Sequence, residues 1–132
     1  MTQGEVGFER LATVPIFLRG RDGAPGITLS AVIDTGFDGF LSLPPETIAA
    51  LRLEYFGKQK QSVFGGGEIL CDVYLLAVQF AGEGRGITVL SSETPPLIGM
   101  RLLYGTELRI DVVDGGKVTV TPHPSGTPGE AL

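Results

Sequence analysis

Apolar residues occur in short runs along this chain, and clusters of glycine, proline and charged residues separate the runs. Runs that are rich in β-branched and aromatic residues and bounded by such clusters predict strands. We expect strands at residues 11–18, 27–33, 40–43, 58–64, 68–80, 87–90, 106–113 and 117–121. Pro44-Pro45-Glu46-Thr47 differs, since proline and an acidic residue suit a first helical turn and Ile48, Ala49 and Leu51 follow. A second short helical stretch is expected at residues 101–104.

The turns predict how these strands are connected. Gly65-Gly66-Gly67 separates two strand patterns and predicts a long hairpin with a glycine tip. Asp114-Gly115-Gly116 is a strong hairpin signal between the last two strands. We interpret residues 19–26 and residues 81–86 as turns as well. The pattern predicts a mainly β fold in a single domain, residues 1–132, with an extended or mobile tail at residues 122–132.

Composition narrows the class of protein. The chain has 132 residues and a mass of 13.9 kDa, enough for one hydrophobic core. The formal net charge is −5, and Lys and Arg do not cluster, which argues against a nucleic-acid partner. No apolar run approaches the roughly 18 residues of a membrane helix, and the N-terminus lacks signal-peptide architecture. We therefore expect a cytoplasmic protein with no membrane partner.

Few catalytic chemistries are open to this sequence. The only histidine, His123, lies between two prolines, so a Ser-His-Asp or Cys-His site requires the tail to fold inward. One histidine and one cysteine, Cys71, cannot supply a zinc site. The glycine runs at residues 65–67 and 82–86 lack the features of a P-loop or a dinucleotide-binding loop. We predict no metal and no cofactor, which leaves carboxylates as the catalytic groups in good supply.

Asp34 is the carboxylate with the most informative context, in AVIDTGFDGFLSLP at residues 31–44. In one interpretation it is a turn aspartate that accepts backbone hydrogen bonds while Gly36 adopts a positive φ. In the other, the apolar strands on both sides bury the carboxylate where a strand meets a loop, as half of an active site. Asp-Thr-Gly alone is a weak motif, but Leu97-Ile98-Gly99 and the glycine-tipped hairpin occur later in the same chain.

The order of strand, Asp34-Thr35-Gly36, strand, glycine-tipped hairpin, Leu97-Ile98-Gly99 and short helix resembles the retropepsin-like aspartic proteases. More narrowly, Phe37-Asp38-Gly39 and the Leu-Pro-Pro helix start resemble the small prokaryotic single-domain branch (clan AA type). The resemblance implies an all-β fold: a single-lobe acid-protease barrel with one or two short helices, a glycine-tipped flap hairpin and a ψ-type loop.

The resemblance also implies roles for individual residues. It implies a catalytic Asp34 with Thr35 and Gly36, substrate contacts from Phe37, Asp38, Phe64, Gly65, Gly66 and Gly67, and support of the site from Leu97, Ile98 and Gly99. Two positions depart from the viral members of the retropepsin-like proteases. Those enzymes carry a small residue where this chain has Phe37. They also carry an arginine directly after the second-motif glycine, where this chain has Met100 followed by Arg101.

Aspartic-protease chemistry needs two carboxylates that share a proton around one water, and this chain has one Asp-Thr-Gly. A two-fold symmetric dimer brings residue 34 against its own copy. The sequence therefore predicts an aspartic endopeptidase, active as a homodimer in which the partner chain supplies the second Asp34, with a peptide or protein substrate. The alternative is a catalytically inactive dimeric peptide-binding or scaffold module on the same fold.

Overall fold

The computed structural model describes residues 1–63 and 65–124 of the chain. Strands make up 54% and helices 9% of the structure, which confirms the predicted mainly β class. The strands are β1 (Thr2–Val6), β2 (Ala12–Leu18), β3 (Ile27–Ile33), β4 (Leu41–Leu43), β5 (Glu54–Ser62), β6 (Glu68–Phe80), β7 (Glu83–Ser91), β8 (Leu97–Ile98), β9 (Thr106–Ile110) and β10 (Lys117–Pro122). The helices are α1 (Pro45–Leu51) and α2 (Met100–Leu103).

All ten strands belong to one sheet, in the order β5-β6-β7-β4-β8-β3-β2-β1-β10-β9. A further pairing of β6 with β2 joins six of these strands, β2, β3, β8, β4, β7 and β6, into a closed barrel. Pro15 lies where β2 changes its neighbour, since β1 pairs with Ala12 and Thr13 while β6 pairs with Phe17 and Leu18. A strand that has neighbours on both sides tolerates proline at such a gap, because no ladder hydrogen bond needs its nitrogen there.

The barrel interior holds the hydrophobic core because alternate residues of each strand point inward. In β2 the inward positions are Val14, Ile16 and Leu18, all nearly inaccessible to solvent. Helix α1 closes part of the core with Ile48 and Leu51. The helix starts at the predicted prolines and ends where Arg52 adopts a left-handed conformation.

The two strands that flank Asp34-Thr35-Gly36 do not pair with each other. Strand β8 lies between them, parallel to β3 through Val32–Leu97 and Ile33–Ile98, and antiparallel to β4 through Leu41–Ile98. A remote segment is thereby inserted beneath the loop that joins β3 to β4. This insertion restricts the path of the loop.

Several sequence-based boundaries were wrong or incomplete, among them the predicted strand 106–113, which ends at Ile110. Strand β1 was missed, because only Val6 of its side chains is buried and the strand is held by pairing with β10 and β2. Residues 83–86 belong to β7 rather than to a turn, since the turn is confined to Ala81 and Gly82, both at positive φ. The predicted tail begins later than residue 122, because Pro122 ends β10 and the His123 N–H donates to the Gly105 carbonyl. The remainder of the tail, residues 125–132, lies outside the described residues.

Neither helix in the described part of the chain has the length and the apolar character needed to cross a bilayer.

Candidate functional site

The loop that carries Asp34 is fastened to the segment after β8 by backbone hydrogen bonds at several points. The Asp34 N–H donates to the Ile98 carbonyl (2.9 Å), and the Gly99 N–H donates to the Phe40 carbonyl (3.0 Å). The Met100 N–H donates in turn to the Phe37 carbonyl (2.8 Å). Both ends of the loop are therefore anchored to one short segment, which orients the Asp34 side chain.

Gly99 makes this close approach possible. A Cβ at this position would overlap the carbonyl oxygen of Gly39 and lie 2.7 Å from the carbonyl oxygen of Phe37. Real Cβ contacts are not that short, and the atoms met are backbone atoms that cannot move aside alone. The packing, not an unusual backbone angle, requires glycine here, since the φ of Gly99 is −100°.

The Asp34 carboxylate is half-buried in the single chain, so the full burial expected from its apolar flanks is not observed. Its Oδ1 accepts a hydrogen bond of 3.0 Å from the Gly36 N–H, and its carbonyl accepts one from the Phe37 N–H. These are the contacts of a turn aspartate. Thr35 and Gly36 are exposed beside it, so this tip of the loop faces outward.

Asp34 lines a groove of about 690 Å³. Gly36 and Phe37 line it beside the carboxylate, and the hairpin of β5 and β6 lines the other side with Gln61, Val63, Ile69 and Cys71. Most of the exposed lining is apolar, and Phe37 packs with Cys71, Val73 and Leu90 in a small cluster separate from the main core. The groove can accept an apolar side chain directly beside the carboxylate.

The hairpin that lines this groove has the glycine tip predicted from the sequence. Gly65, Gly66 and Gly67 have φ values of 93°, 97° and 86°, a left-handed backbone that favours glycine. Across the two strands of the hairpin, Lys58 Nζ lies 2.7 Å from Asp72 Oδ1. This contact raises the pKa of Lys58 above its ordinary value, chiefly through the hydrogen bond to Asp72. Phe64, predicted to contact substrate, lies outside the described residues.

A second, more polar groove of about 290 Å³ continues from the first and shares Leu90 with it. Asp38 and Arg101 both line this groove, yet no ion pair among the described residues involves either side chain. The Arg101 guanidinium lies 5.6 Å from the centre of the buried Phe40 ring, within cation–π range. Burial lowers the pKa of Arg85, which lies 5.5 Å from the same ring, and the carboxylate of Glu83 opposes that shift.

Many of the residues singled out from the sequence lie around one groove. Asp34, Gly36 and Phe37 line it, and Leu97 lines its floor while Ile98 and Gly99 hold the loop from beneath. Asp38 lies in the adjoining polar groove. Gly65, Gly66 and Gly67 form the tip of the hairpin but do not line either groove.

Sequence reasoning missed Ser42, whose side chain lines the same groove but is only 4% exposed. Its Oγ has no hydrogen-bond partner among the described residues. The alternation Leu41-Ser42-Leu43 in a predicted strand was the available signal, because it places Ser42 on the face opposite the core. The same two-residue period places Ile69 and Cys71 on one face of β6, the face that lines the groove.

No group of histidine, cysteine or acidic side chains within residues 1–63 and 65–124 has a metal-binding arrangement. Comparison with known proteins adds no assignment, since no protein-family model and no curated protein matches this chain.

Proposed function

We propose that this chain is one half of a retropepsin-like aspartic endopeptidase, with Asp34 as the catalytic carboxylate. The observation that carries the proposal is the placement of Asp34. It lies on a loop held rigidly from beneath by the inserted strand β8, and it opens into a groove bordered by a glycine-tipped hairpin. A general acid or base must be positioned within reach of the scissile bond, and this arrangement provides a fixed carboxylate beside space for a peptide.

The proposed reaction uses Asp34 from each of two chains around one water molecule. The ionised carboxylate accepts a proton from the water as its oxygen attacks the peptide carbonyl. The protonated carboxyl donates to the carbonyl oxygen, and the tetrahedral intermediate collapses as a proton reaches the leaving nitrogen. Two carboxylates this close cannot both be ionised, so the pair holds the single proton that this sequence of steps needs.

The substrate in this proposal is an extended peptide that lies between the loop and the hairpin. The strand edges and backbone groups of the hairpin are suited to main-chain pairing, and the side-chain environment then sets the preference. Phe37, Ile69 and Leu90 favour an apolar side chain beside the dyad, whereas Asp38 and Arg101 favour polar groups further out. Cleavage between apolar residues is the expected outcome.

One observation keeps the second candidate, a non-catalytic dimeric peptide-binding or scaffold module, in contention. The Asp34 carboxylate is half-exposed and already accepts the Gly36 N–H, which is sufficient for a turn aspartate. In that function the groove and hairpin hold a peptide without cutting it.

The test is hydrolysis of a diverse peptide mixture at acidic to neutral pH, followed by mass spectrometry. We expect cleavage by the wild type and its loss in Asp34→Asn, which keeps the size of the side chain and removes its acid–base function. Asp22→Asn is the matched control, because Asp22 is exposed in the turn at the opposite end of β3. Equal cleavage by wild type and Asp34→Asn excludes the proposed dyad. Binding of the peptides without cleavage by the wild type favours the scaffold module.

A further inference from the structure

One hydroxyl in the groove beside Asp34 differs from the others. Ser42, Ser62, Ser92 and Thr94 all line this groove. The Ser92 and Thr94 hydroxyls lie 3.0 Å apart and are hydrogen-bonded, and Ser62 is exposed to water. Ser42 is buried, and within residues 1–63 and 65–124 its Oγ is the only buried side-chain polar atom without a hydrogen-bond partner.

Strand register places the Ser42 side chain on the groove side of β4. The residues before and after it, Leu41 and Leu43, are fully buried in the main core, so Ser42 lies on the opposite face of the strand. Ser42 pairs with Leu90 of β7 and with Leu97 of β8, and both leucines line the same groove. Ser42 is therefore a single polar residue between two apolar ones.

A buried hydroxyl without a partner lowers the stability of a protein, because it gives up its hydrogen bonds to water and gains none in return. Native structures keep few such groups, and each one calls for an explanation. Alanine would occupy the position of Ser42 without this cost. A bound ligand that supplies the missing hydrogen bond explains the hydroxyl, and the place of Ser42 in the groove favours that explanation.

The lining of the groove restricts the chemistry of that ligand group. Among the described lining residues Asp34 is the only charged one, and none is Lys, Arg or His. An acidic group would be repelled by Asp34 and would be buried without a counter-ion, whereas a basic group would be attracted to Asp34 instead of Ser42. Phe37, Leu90 and Leu97 pack together and offer apolar contacts. The group that fits has an apolar body and an uncharged hydrogen-bonding tip, as tyrosine has.

We propose that Ser42 is a specificity-determining residue, whose hydroxyl binds the polar tip of a substrate side chain and selects tyrosine over phenylalanine. The proposal rests on the proposed function and narrows its substrates to peptides that place tyrosine beside Asp34. In the free chain the Oγ is covered, and a change of χ1 between staggered positions would turn it toward the ligand. A serine hydroxyl can both donate and accept, so it can pair with a phenol in either direction.

The experiment measures binding and cleavage separately on a mixture of random octapeptides. Binding is measured with Asp34→Asn, which lacks the proposed acid–base group, by mass spectrometry of the peptides that it retains. Cleavage sites are read from the products of the wild type. In both measurements we expect tyrosine to be enriched over phenylalanine by about 10-fold, the effect of one well-formed hydrogen bond.

Three substitutions, each made in the wild type and in Asp34→Asn, assign the preference to the hydroxyl. Ser42→Ala removes the hydroxyl, and Ser42→Cys keeps a side chain of similar size with only weak hydrogen bonding. Both should abolish the enrichment of tyrosine. Ser92→Ala is the matched control and should keep it, because Ser92 lines the same groove but its hydroxyl is paired with Thr94. Circular dichroism melts establish that each variant is folded.

The outcomes separate this inference from the proposed function. Equal use of tyrosine and phenylalanine, or a preference that survives in Ser42→Ala, overturns the inference, and Asp34-dependent cleavage would then leave the protease function standing. Retention of tyrosine peptides that depends on Ser42, without cleavage by the wild type, supports the inference and removes the protease function. A chain that neither retains nor cleaves any peptide contradicts both.

Discussion

Glycine is required for opposite reasons in two regions of the molecule, the segment beneath the Asp34 loop and the tip of the hairpin. Beneath Asp34, Gly99 has an ordinary φ, but a Cβ would overlap the backbone of Gly39. At the hairpin tip, a Cβ on Gly66 would meet nothing within 4 Å, but the φ of 97° disfavours any side chain. The segment beneath the Asp34 loop is therefore defined by packing, whereas the hairpin tip is defined by backbone conformation.

The difference has a consequence for stability and function. Close packing couples the floor to the barrel core, so a substitution there should lower the stability of the whole fold. The hairpin is largely exposed on both strands near its tip, so a substitution there should affect mainly the local stability of the hairpin. If Asp34 is catalytic as proposed, a fixed carboxylate and a separately deformable hairpin are the arrangement that closure over a peptide needs.

The largest expected effect is that of Gly99→Ala. The added methyl group collides with two backbone carbonyls, so we expect a loss of about 3 kcal/mol in the free energy of unfolding. That corresponds to a fall in melting temperature of about 10 °C for a chain of this size. Gly86→Ala is the matched control, since a Cβ there meets nothing within 4 Å at an ordinary φ. Equal melting temperatures for the two variants would show that the floor is not packed as described.

Removing the hydroxyl of Ser42 should stabilise the floor. The Oγ is buried and has no partner among the described residues, so Ser42→Ala removes a desolvation penalty and adds no clash. We expect a gain of about 1.5 kcal/mol in urea unfolding, with an unchanged dependence on denaturant concentration. Ser92→Ala provides the comparison, because Ser92 lines the same groove but its Oγ is hydrogen-bonded to Thr94. A loss of stability in Ser42→Ala would indicate that the hydroxyl is hydrogen-bonded after all.

A methyl group added at Gly66 in the hairpin tip should cost less unfolding free energy than one added at Gly99. Gly66→Ala forces a side chain into a positive φ, for which we expect a loss of about 1 kcal/mol in unfolding free energy. If the proposed function is correct, the same variant should impair peptide cleavage more than its effect on stability explains, because the hairpin that ends at this tip lines the groove. Parallel melting and cleavage assays separate the two effects. A cost as large as that of Gly99→Ala would remove the contrast between the two regions.

The smallest effect is expected from the exposed pair of Lys58 and Asp72 in the hairpin. The pKa of Lys58 is raised, so its contribution is fully present below the ordinary value of 10.5 and is lost as the pH rises through the raised value. Wild type should melt slightly above Lys58→Ala at neutral pH, and the difference should disappear well above pH 10.5. A difference that grows at high pH would have the wrong sign for this ion pair.

The elements that local sequence signals specify were predicted from the sequence. The strands on both sides of Asp34 and the helix that starts at Pro45 were predicted because apolar runs and proline positions specify them directly. The glycine-tipped hairpin was predicted for the same reason, although β5 begins at Glu54 rather than at residue 58.

The features that sequence reasoning missed depend on distant partners. Strand β1 buries only Val6, so its pairing with β10 and β2 is what makes it a strand. Gly84 and Gly86 were interpreted as turn residues, yet they pair with Gln79 and Ala77 inside the sheet. Asp34 was expected to be buried because its flanks are apolar, but its loop lies at an exposed end of the barrel. Burial of that carboxylate is now expected to come from the partner chain.

The central claim is that two chains share one catalytic pair, and a subunit-mixing experiment tests it most directly. Equal amounts of wild type and Asp34→Asn are refolded together, and peptide hydrolysis is compared with the same total amount of wild type alone. If each active site needs Asp34 from both chains, random pairing leaves about one quarter of the dimers fully wild type, and activity should fall to about 25%. Activity of about 50% would mean that each chain works alone, which would contradict the claim.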